Sequence, residues 1–203
     1  MQFSKRLDRF GSEVFASLNA RRRELEASGR TVIDLSVGTP DFEPPAHVKN
    51  ALVEAAKDSE NWKYALADLP ELTQAVIDYY ADRFGVTGLI PDQIMSVNGT
   101  QEGMGRMAEA LLDEGDLVLV PDPCYPLFRA SALIAGADLA FYPLAEENGF
   151  LPDVSAIDPA VADRAKYMVV SLPANPVGSV GTPENYVQII EFARAHDLLI
   201  VHD

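Results

Sequence analysis

The sequence predicts an α/β protein with a mostly parallel sheet and helices on both faces, preceded by an N-terminal arm. Two observations carry that prediction. Strand-sized apolar runs alternate with helix-period segments along most of the chain, the pattern of βαβ units. The 203 residues are 48% hydrophobic, enough for a sizeable buried core in one large domain or two small ones.

The elements follow in order. A helical stretch over about residues 10–28 leads to a short strand candidate, Thr31-Val32-Ile33-Asp34-Leu35. Pro44-Pro45 opens a helix with apolar residues at Val48, Ala51, Leu52, Ala55 and Ala56, one face of a 3.6-residue period. Pro70 opens another, with Leu72, Ala75, Val76, Tyr79 and Tyr80 on one side. Ile94–Val97 reads as a strand, followed by the turn Asn98-Gly99-Thr100 and a helix whose stripe is Met104, Met107, Ala108, Leu111 and Leu112. Further strands are expected at Leu117–Val120, Leu139–Tyr142, Tyr167–Leu172 and Leu198–His202. Tyr125 begins a helix after the first of these. Between the last two strands lies a helix with Thr182 as N-cap, Pro183 at its first position and a stripe of Tyr186, Ile189, Ile190 and Ala193. The expected organisation is an arm and small-domain segment over 1–44 and an α/β domain over 45–203.

Composition excludes several classes of function. With 16 Lys and Arg against 31 Asp and Glu, the net charge is −15, a surface that repels a phosphate backbone and argues against nucleic-acid binding. The basic cluster Arg21-Arg22-Arg23 is followed by Glu24 and Glu26 and reads as ordinary helix surface. A single cysteine, Cys124, excludes an internal disulfide framework, and His47, His196 and His202 are too far apart in sequence for a histidine-based zinc site. No apolar run reaches the ~18 residues of a membrane span, and MQFSKRLDRFGSEVF lacks a secretory h-region, so a cytoplasmic protein without membrane partners is expected.

Open α/β sheets collect ligands at the carboxyl ends of their strands, and three polar elements fall there. Asn98-Gly99-Thr100-Gln101 lies between strand and helix, where glycine allows close backbone approach and the helix amides favour an anion. Its plainer reading is an N-capping turn. Asn175-Pro176-Val177-Gly178 is a loop in which prolines 173 and 176 bracket an asparagine; its plainer reading is a turn. Asp203 ends an apolar strand, where a carboxylate can hold a metal, a ribose or a protonated ring nitrogen, or simply cap a strand end. Tyr125 has a ring able to stack on a planar ligand and Tyr64 a phenol able to donate, although each residue type is more often core or surface. There is no G-x-G-x-x-G, Walker A loop, G-x-S-x-G or metal-ligand cluster.

Taken in order, these segments resemble the fold-type I aminotransferases that use pyridoxal phosphate, over Asp34 to Asp203. Leu35-Ser36-Val37-Gly38-Thr39-Pro40-Asp41-Phe42 resembles the family's L-x-x-G-x-P-D-F opening, and Tyr64 through Leu72 its Y-x-x-x-G-x-P-E-L segment. Val97 through Glu102 resembles the cofactor-phosphate turn, and Gly115 through Pro126 the G-D-x-V-L-V-P-x-P-x-Y-P run. Asn175-Pro176-Val177-Gly178 is close to N-P-T-G. Each motif is weak alone; the ordered set is specific. Within the family the likeness is to LL-diaminopimelate and alanine/aspartate-type members of class I/II.

The resemblance implies roles. Gly99, Thr100 and Gln101 would bind the phosphate of pyridoxal 5'-phosphate, Tyr125 would stack on its ring, Asn175 would bond its phenolic oxygen and help hold the substrate carboxylate, and Asp203 would pair with the ring nitrogen. Gly38 would offer backbone to the substrate, and Tyr64 would reach the phosphate of a neighbouring subunit, which implies a homodimer with shared sites. The implied reaction moves an amino group between an amino acid and a 2-oxo acid. The alternatives are a pyridoxal-phosphate carbon–sulfur lyase and a non-catalytic pyridoxal-phosphate-sensing module. Asp68 stands at a usual glycine, Leu66 and Val177 replace an aromatic and a threonine, and Ala174 replaces an asparagine, which marks a divergent branch. None of Lys5, Lys49, Lys57, Lys63 and Lys166 matches the family's reactive lysine, which falls beyond the position of Asp203, so no catalytic nucleophile is assigned. The chain is therefore expected to be the first half of a protein about twice as long, inactive by itself.

Overall fold

The structure is a computed structural model that describes residues 2–10, 14–35, 38 and 40–203, with backbone only at 14 and 15. Its helices are α1 (Val14–Ala27), α2 (Ala46–Lys57), α3 (Pro70–Phe84), α4 (Thr100–Leu111), α5 (Pro126–Ala135), α6 (Pro159–Ala162) and α7 (Pro183–Ala195). Its strands are β1 (Leu117–Asp122), β2 (Asp138–Pro143), β3 (Ala165–Val170) and β4 (Leu199–His202). All strand pairs are parallel, in the order β2-β1-β3-β4. The chain divides into two compact units, one from Met1–Gly11 with Val97–Asp203 and the other from Ser12–Ser96.

The first unit holds the sheet. Along a strand, successive side chains point to opposite faces, so each apolar run supplies two cores. Val118, Val120, Tyr167, Val169 and Val201 pack with Met104 and Ala108 of α4 and Phe128 and Ala132 of α5. Leu117, Leu119, Met168 and Val170 pack on the other face with Ile189 and Ala193 of α7. A mostly parallel sheet covered on both sides is therefore present as expected. Each of these large apolar side chains contributes about 1.5–3 kcal/mol by leaving water. The helix starts follow their caps. Pro126 and Pro183 stand at first positions, and Thr182 shares reciprocal hydrogen bonds with Asn185 in a capping box.

Chain order and sheet order together place a switch point. From β1 the chain runs out through α5 to β2, returns past β1 to β3, and continues through α7 to β4. The direction of winding thus reverses between β1 and β3, and the loops leaving their carboxyl ends lie side by side there.

In the second unit, a 3-10 turn at Ser59–Trp62 lies between α2 and α3, and another at Pro91–Gln93 follows α3. Helix α3 starts at Pro70 and stops at Gly85, whose left-handed φ of 66° turns the chain so that the Val86 N–H reaches the Tyr80 carbonyl at 3.2 Å. Two strand expectations fail in or at the edge of this unit: 31–35 and 94–97 are both irregular. A strand needs a neighbour to complete its ladder, and no described segment pairs with either. The apolar face of α2 is exposed along its length, with Leu52 at 72%. No helix among the described residues is long and apolar enough to cross a membrane.

Candidate functional site

Six of the sequence-predicted residues belong to the sheet-bearing unit, and the topology brings them to one edge. Five residues join α4 to β1, so the two run in opposite directions and the α4 N-terminus lies at the carboxyl end of the sheet. Gly99 is the N-cap there, with φ 85° and ψ 152°, a backbone region open essentially to glycine alone. Among the described residues no side chain caps α4, and the amides of Thr100 and Gln101 in its first turn have no protein partner. A Cβ built on Gly99 would meet nothing within 4 Å, so the space beside Gly99 is open. Asn98 is held instead by the Glu102 carboxylate, which accepts its N–H at 2.8 Å.

β1 ends at Asp122 and passes through Pro123 and Cys124 to Tyr125, the half-buried N-cap of α5. The Tyr125 ring packs edge-on against Phe128, 5.9 Å between centroids. This contact anchors one edge of the ring in the core of α4 and α5. Burial pushes the Cys124 thiol up to about 11; Arg129 lowers it and Asp122 raises it. It is therefore a neutral thiol at neutral pH and no nucleophile.

β3 leads into the loop of Asn175. The peptide bonds before Pro123, Pro173 and Pro176 are cis. The loop closes on itself: Ala174 N–H donates to Ser179 O at 2.8 Å, and Gly178 N–H to Ala174 O at 2.5 Å. The Ser179 hydroxyl ties it to Phe150 O at 2.6 Å. Asn175 is left exposed, with its side chain making no hydrogen bond among the described residues.

β4 pairs His202 with Val170, and Asp203 N–H extends the ladder to Val170 O at 3.0 Å. The Asp203 carboxylate is exposed and has no ion-pair partner among the described residues. Neighbouring strands are about 4.8 Å apart, so Asn175 and Asp203 issue from adjacent strands and Tyr125 from the next one over.

Gly38 and Tyr64 lie in the other unit. Both are exposed, Tyr64 at 97%, and parts of the motif around Gly38 (residues 36, 37 and 39) fall outside the described residues. A groove of about 310 Å³ in that unit, lined by Leu18, Leu25 and Val32 among others, contains none of the predicted residues. Asp68 has a negative φ, so this backbone does not require the usual glycine. Its two carboxylate oxygens accept the Ser96 hydroxyl and the Ser96 N–H, the latter at 2.7 Å. Sequence reasoning missed Tyr186 and His202, which meet beneath the Asn175 loop. Only a tyrosine at a helix's fourth position and a histidine before a strand-end aspartate signalled them.

A doubly wound parallel sheet, with an uncapped helix N-terminus, an amide loop and a carboxylate at its switch-point edge, has the arrangement at which open α/β sheets collect ligands. The sequence profile of the family described as aminotransferase class I and II matches residues 30–203, and the chain belongs to that family, which uses pyridoxal 5'-phosphate. The LL-diaminopimelate aminotransferase of Dehalococcoides mccartyi is 38% identical over 205 residues, covering 100% of this chain and 53% of its own. Among solved structures, substrate-bound BacF from Bacillus subtilis superposes with a TM-score of 0.92 at 32% identity, and an alanine aminotransferase from Pyrococcus furiosus with 0.91 at 31%. Each is covered to 52% of its length, and this chain to 100%. The chain thus spans about half the length of the relatives it matches.

Proposed function

We propose that these residues form the cofactor bed of a pyridoxal-phosphate-dependent aminotransferase that moves an amino group between an amino acid and a 2-oxo acid. One observation carries this reading: in a chain of this family, open amides, an unpaired asparagine amide, an aromatic ring and an unpaired carboxylate share one sheet edge. When bound, the cofactor supplies an electron-withdrawing ring. Thr100 and Gln101 amides donate to its phosphate, and Gly99 keeps the approach clear. Tyr125 covers one ring face. Asn175 donates its amide to the phenolic oxygen and to the substrate carboxylate. Asp203 accepts from the ring N–H and holds the proton on that nitrogen.

The rest of the reading concerns the whole protein. Residues 45–203 belong to its cofactor-binding domain and 1–44 to an arm and small-domain segment. Gly38 lines the substrate side, and Tyr64 reaches the phosphate of a second subunit in a cytoplasmic homodimer. The reactive lysine lies outside these 203 residues.

The test uses the whole protein loaded with pyridoxal 5'-phosphate. Borohydride is expected to fix the cofactor covalently on a lysine beyond Asp203, and Asp203→Ala to lower turnover by orders of magnitude with little change in thermal stability. Near-normal turnover would remove Asp203 from its role. Amino donors should yield 2-oxo acids without free ammonia; ammonia with sulfide would replace this reading by a carbon–sulfur lyase, and absence of any reaction by a sensing module.

A further inference from the structure

Asn175 and Asp203 sit on separate segments, and one phenol connects the bases of both. Tyr186, in the first turns of α7, places its hydroxyl 3.2 Å from Leu172 O and 3.4 Å from His202 Nε2. Leu172 lies three residues before Asn175, and His202 immediately precedes Asp203. A phenol has one proton and a carbonyl can only accept. The Tyr186 proton is therefore directed to Leu172 O, and His202 supplies Nε2–H to the Tyr186 oxygen. That assigns the His202 tautomer from the hydrogen-bond pattern. The result is an unbranched relay from the end of β4, through α7, to the start of the Asn175 loop.

The surrounding packing has been shaped to this contact. The Tyr186 and His202 rings lie 5.8 Å apart at 43°. A Cβ on Gly181 would stand 2.8 Å from Leu172 Cδ1 and 3.3 Å from Tyr186 Cε2, so a larger residue there would have to displace the Leu172 side chain that packs beside Tyr186. The turn of α7 that carries Tyr186 is fixed by the Thr182–Asn185 capping box. Backbone bonding alone ties the two strands just short of the site, at Asp203 N–H to Val170 O; beyond it, Tyr186 is the bridge.

We propose that Tyr186 and His202 are positioning residues that set the separation of Asn175 from Asp203, and with it the grip on the cofactor ring. The inference rests on the proposed roles of those two residues. Its test combines a local and a functional measurement on the whole protein. Tyr186→Phe keeps the ring and its packing and removes only the hydroxyl; His202→Leu removes the donor, while His202→Gln keeps an N–H in its place. Amide hydrogen exchange at Ala174, Gly178 and Asp203 is expected to quicken about tenfold in Tyr186→Phe and His202→Leu, with Val118 and Val120 of β1 unchanged. The dissociation constant of pyridoxal 5'-phosphate, measured by dialysis against apoprotein, is expected to rise about tenfold in those two variants and to recover in His202→Gln, at nearly constant melting temperature.

Unchanged affinity in Tyr186→Phe and His202→Leu, with a wild type that binds, would overturn the positioning role alone, whether or not exchange changed. Equal losses in His202→Leu and His202→Gln would overturn the relay as drawn. A wild type that takes up no cofactor would overturn the proposed function and this role with it.

Discussion

Helices α2 and α4 are both twelve residues long, and both carry apolar residues at helical spacing. Their fates differ. In α4, Met104 and Ala108 are buried against β1 and β3, whereas α2 buries nothing and leaves Val48 and Leu52 in the open. The same contrast holds between the units: every buried apolar side chain among the described residues lies between Met104 and Val201, and Thr73 alone is buried in the Ser12–Ser96 unit. Periodicity thus marks the face a helix can bury. Burial itself requires a surface to receive that face, and among the described residues the parallel sheet provides one to α4, α5, α6 and α7.

The widest separation of the two regions is expected from truncating one large side chain in each. Phe128→Ala, at a fully buried site between β1 and α4, should lose about 3–5 kcal/mol in urea unfolding of the 203-residue chain. Leu52→Ala in α2 should change stability by no more than about 0.5 kcal/mol. A loss near 2 kcal/mol at Leu52 would break the comparison, because it would mean that α2 is covered.

Gly99→Ala is next in size. The strain comes from backbone, since the space around it is free, and the cost should be about 1–3 kcal/mol. A neutral effect would show that the turn before α4 relaxes easily and belongs with the loosely packed unit.

Within the core, two buried tyrosines sharpen the picture at a smaller scale. Tyr142 donates its hydroxyl to Val169 O at 2.6 Å, and burial raises its phenol far above the ordinary range. Among the described residues no group completes a hydrogen bond with the buried Tyr167 hydroxyl; its neighbour Ser131 donates its own hydroxyl to Phe128 O at 3.3 Å and only partly offsets the effect of burial on the phenol. Burial pushes the Tyr167 phenol up to about 12. Tyr142→Phe should cost about 1 kcal/mol, and Tyr167→Phe should be neutral or stabilising by up to about 1 kcal/mol. The chemical denaturation midpoints of the two variants should therefore move apart, and movement in the same direction would contradict this pairing.

The smallest effect lies at Asp68. The Ser96 hydroxyl, and then the Ser96 N–H, hold its carboxyl below the usual aspartate range. The folded pKa is below the unfolded one, so the stabilisation is complete above the unfolded value near about 4 and is lost as pH falls through the folded value. Ser96 is exposed and Asp68 only partly covered, so solvent keeps the effect small. Asp68→Asn should flatten the acid limb of the stability curve measured below about pH 4. An identical limb in both proteins would show that the Ser96 contact carries no pH dependence.

The four strands of the sheet, the proline-opened helices and the Thr182 cap were legible in the sequence, because apolar runs and caps act over a few residues. The strand expectations at 31–35 and 94–97 misled because a β-like run says nothing about whether a partner strand lies beside it. The polar segments at Asn175 and Asp203 follow strands as expected, whereas Asn98–Gln101 follows irregular backbone, and the ordered motifs pointed to the family. Tyr186 was not, since its spacing is that of an ordinary core-facing residue.

By itself, then, the sequence determined which segments become strands and helices in the sheet-bearing unit and which polar residues follow them, through local period, caps and turns. Tertiary structure alone decided that β3 would pair between β1 and β4, which sets the loops of Tyr125 and Asn175 and the carboxylate of Asp203 at one edge. It also decided that a phenol from α7 would meet His202. Those outcomes depend on contacts between residues far apart in the chain, which no local pattern specifies.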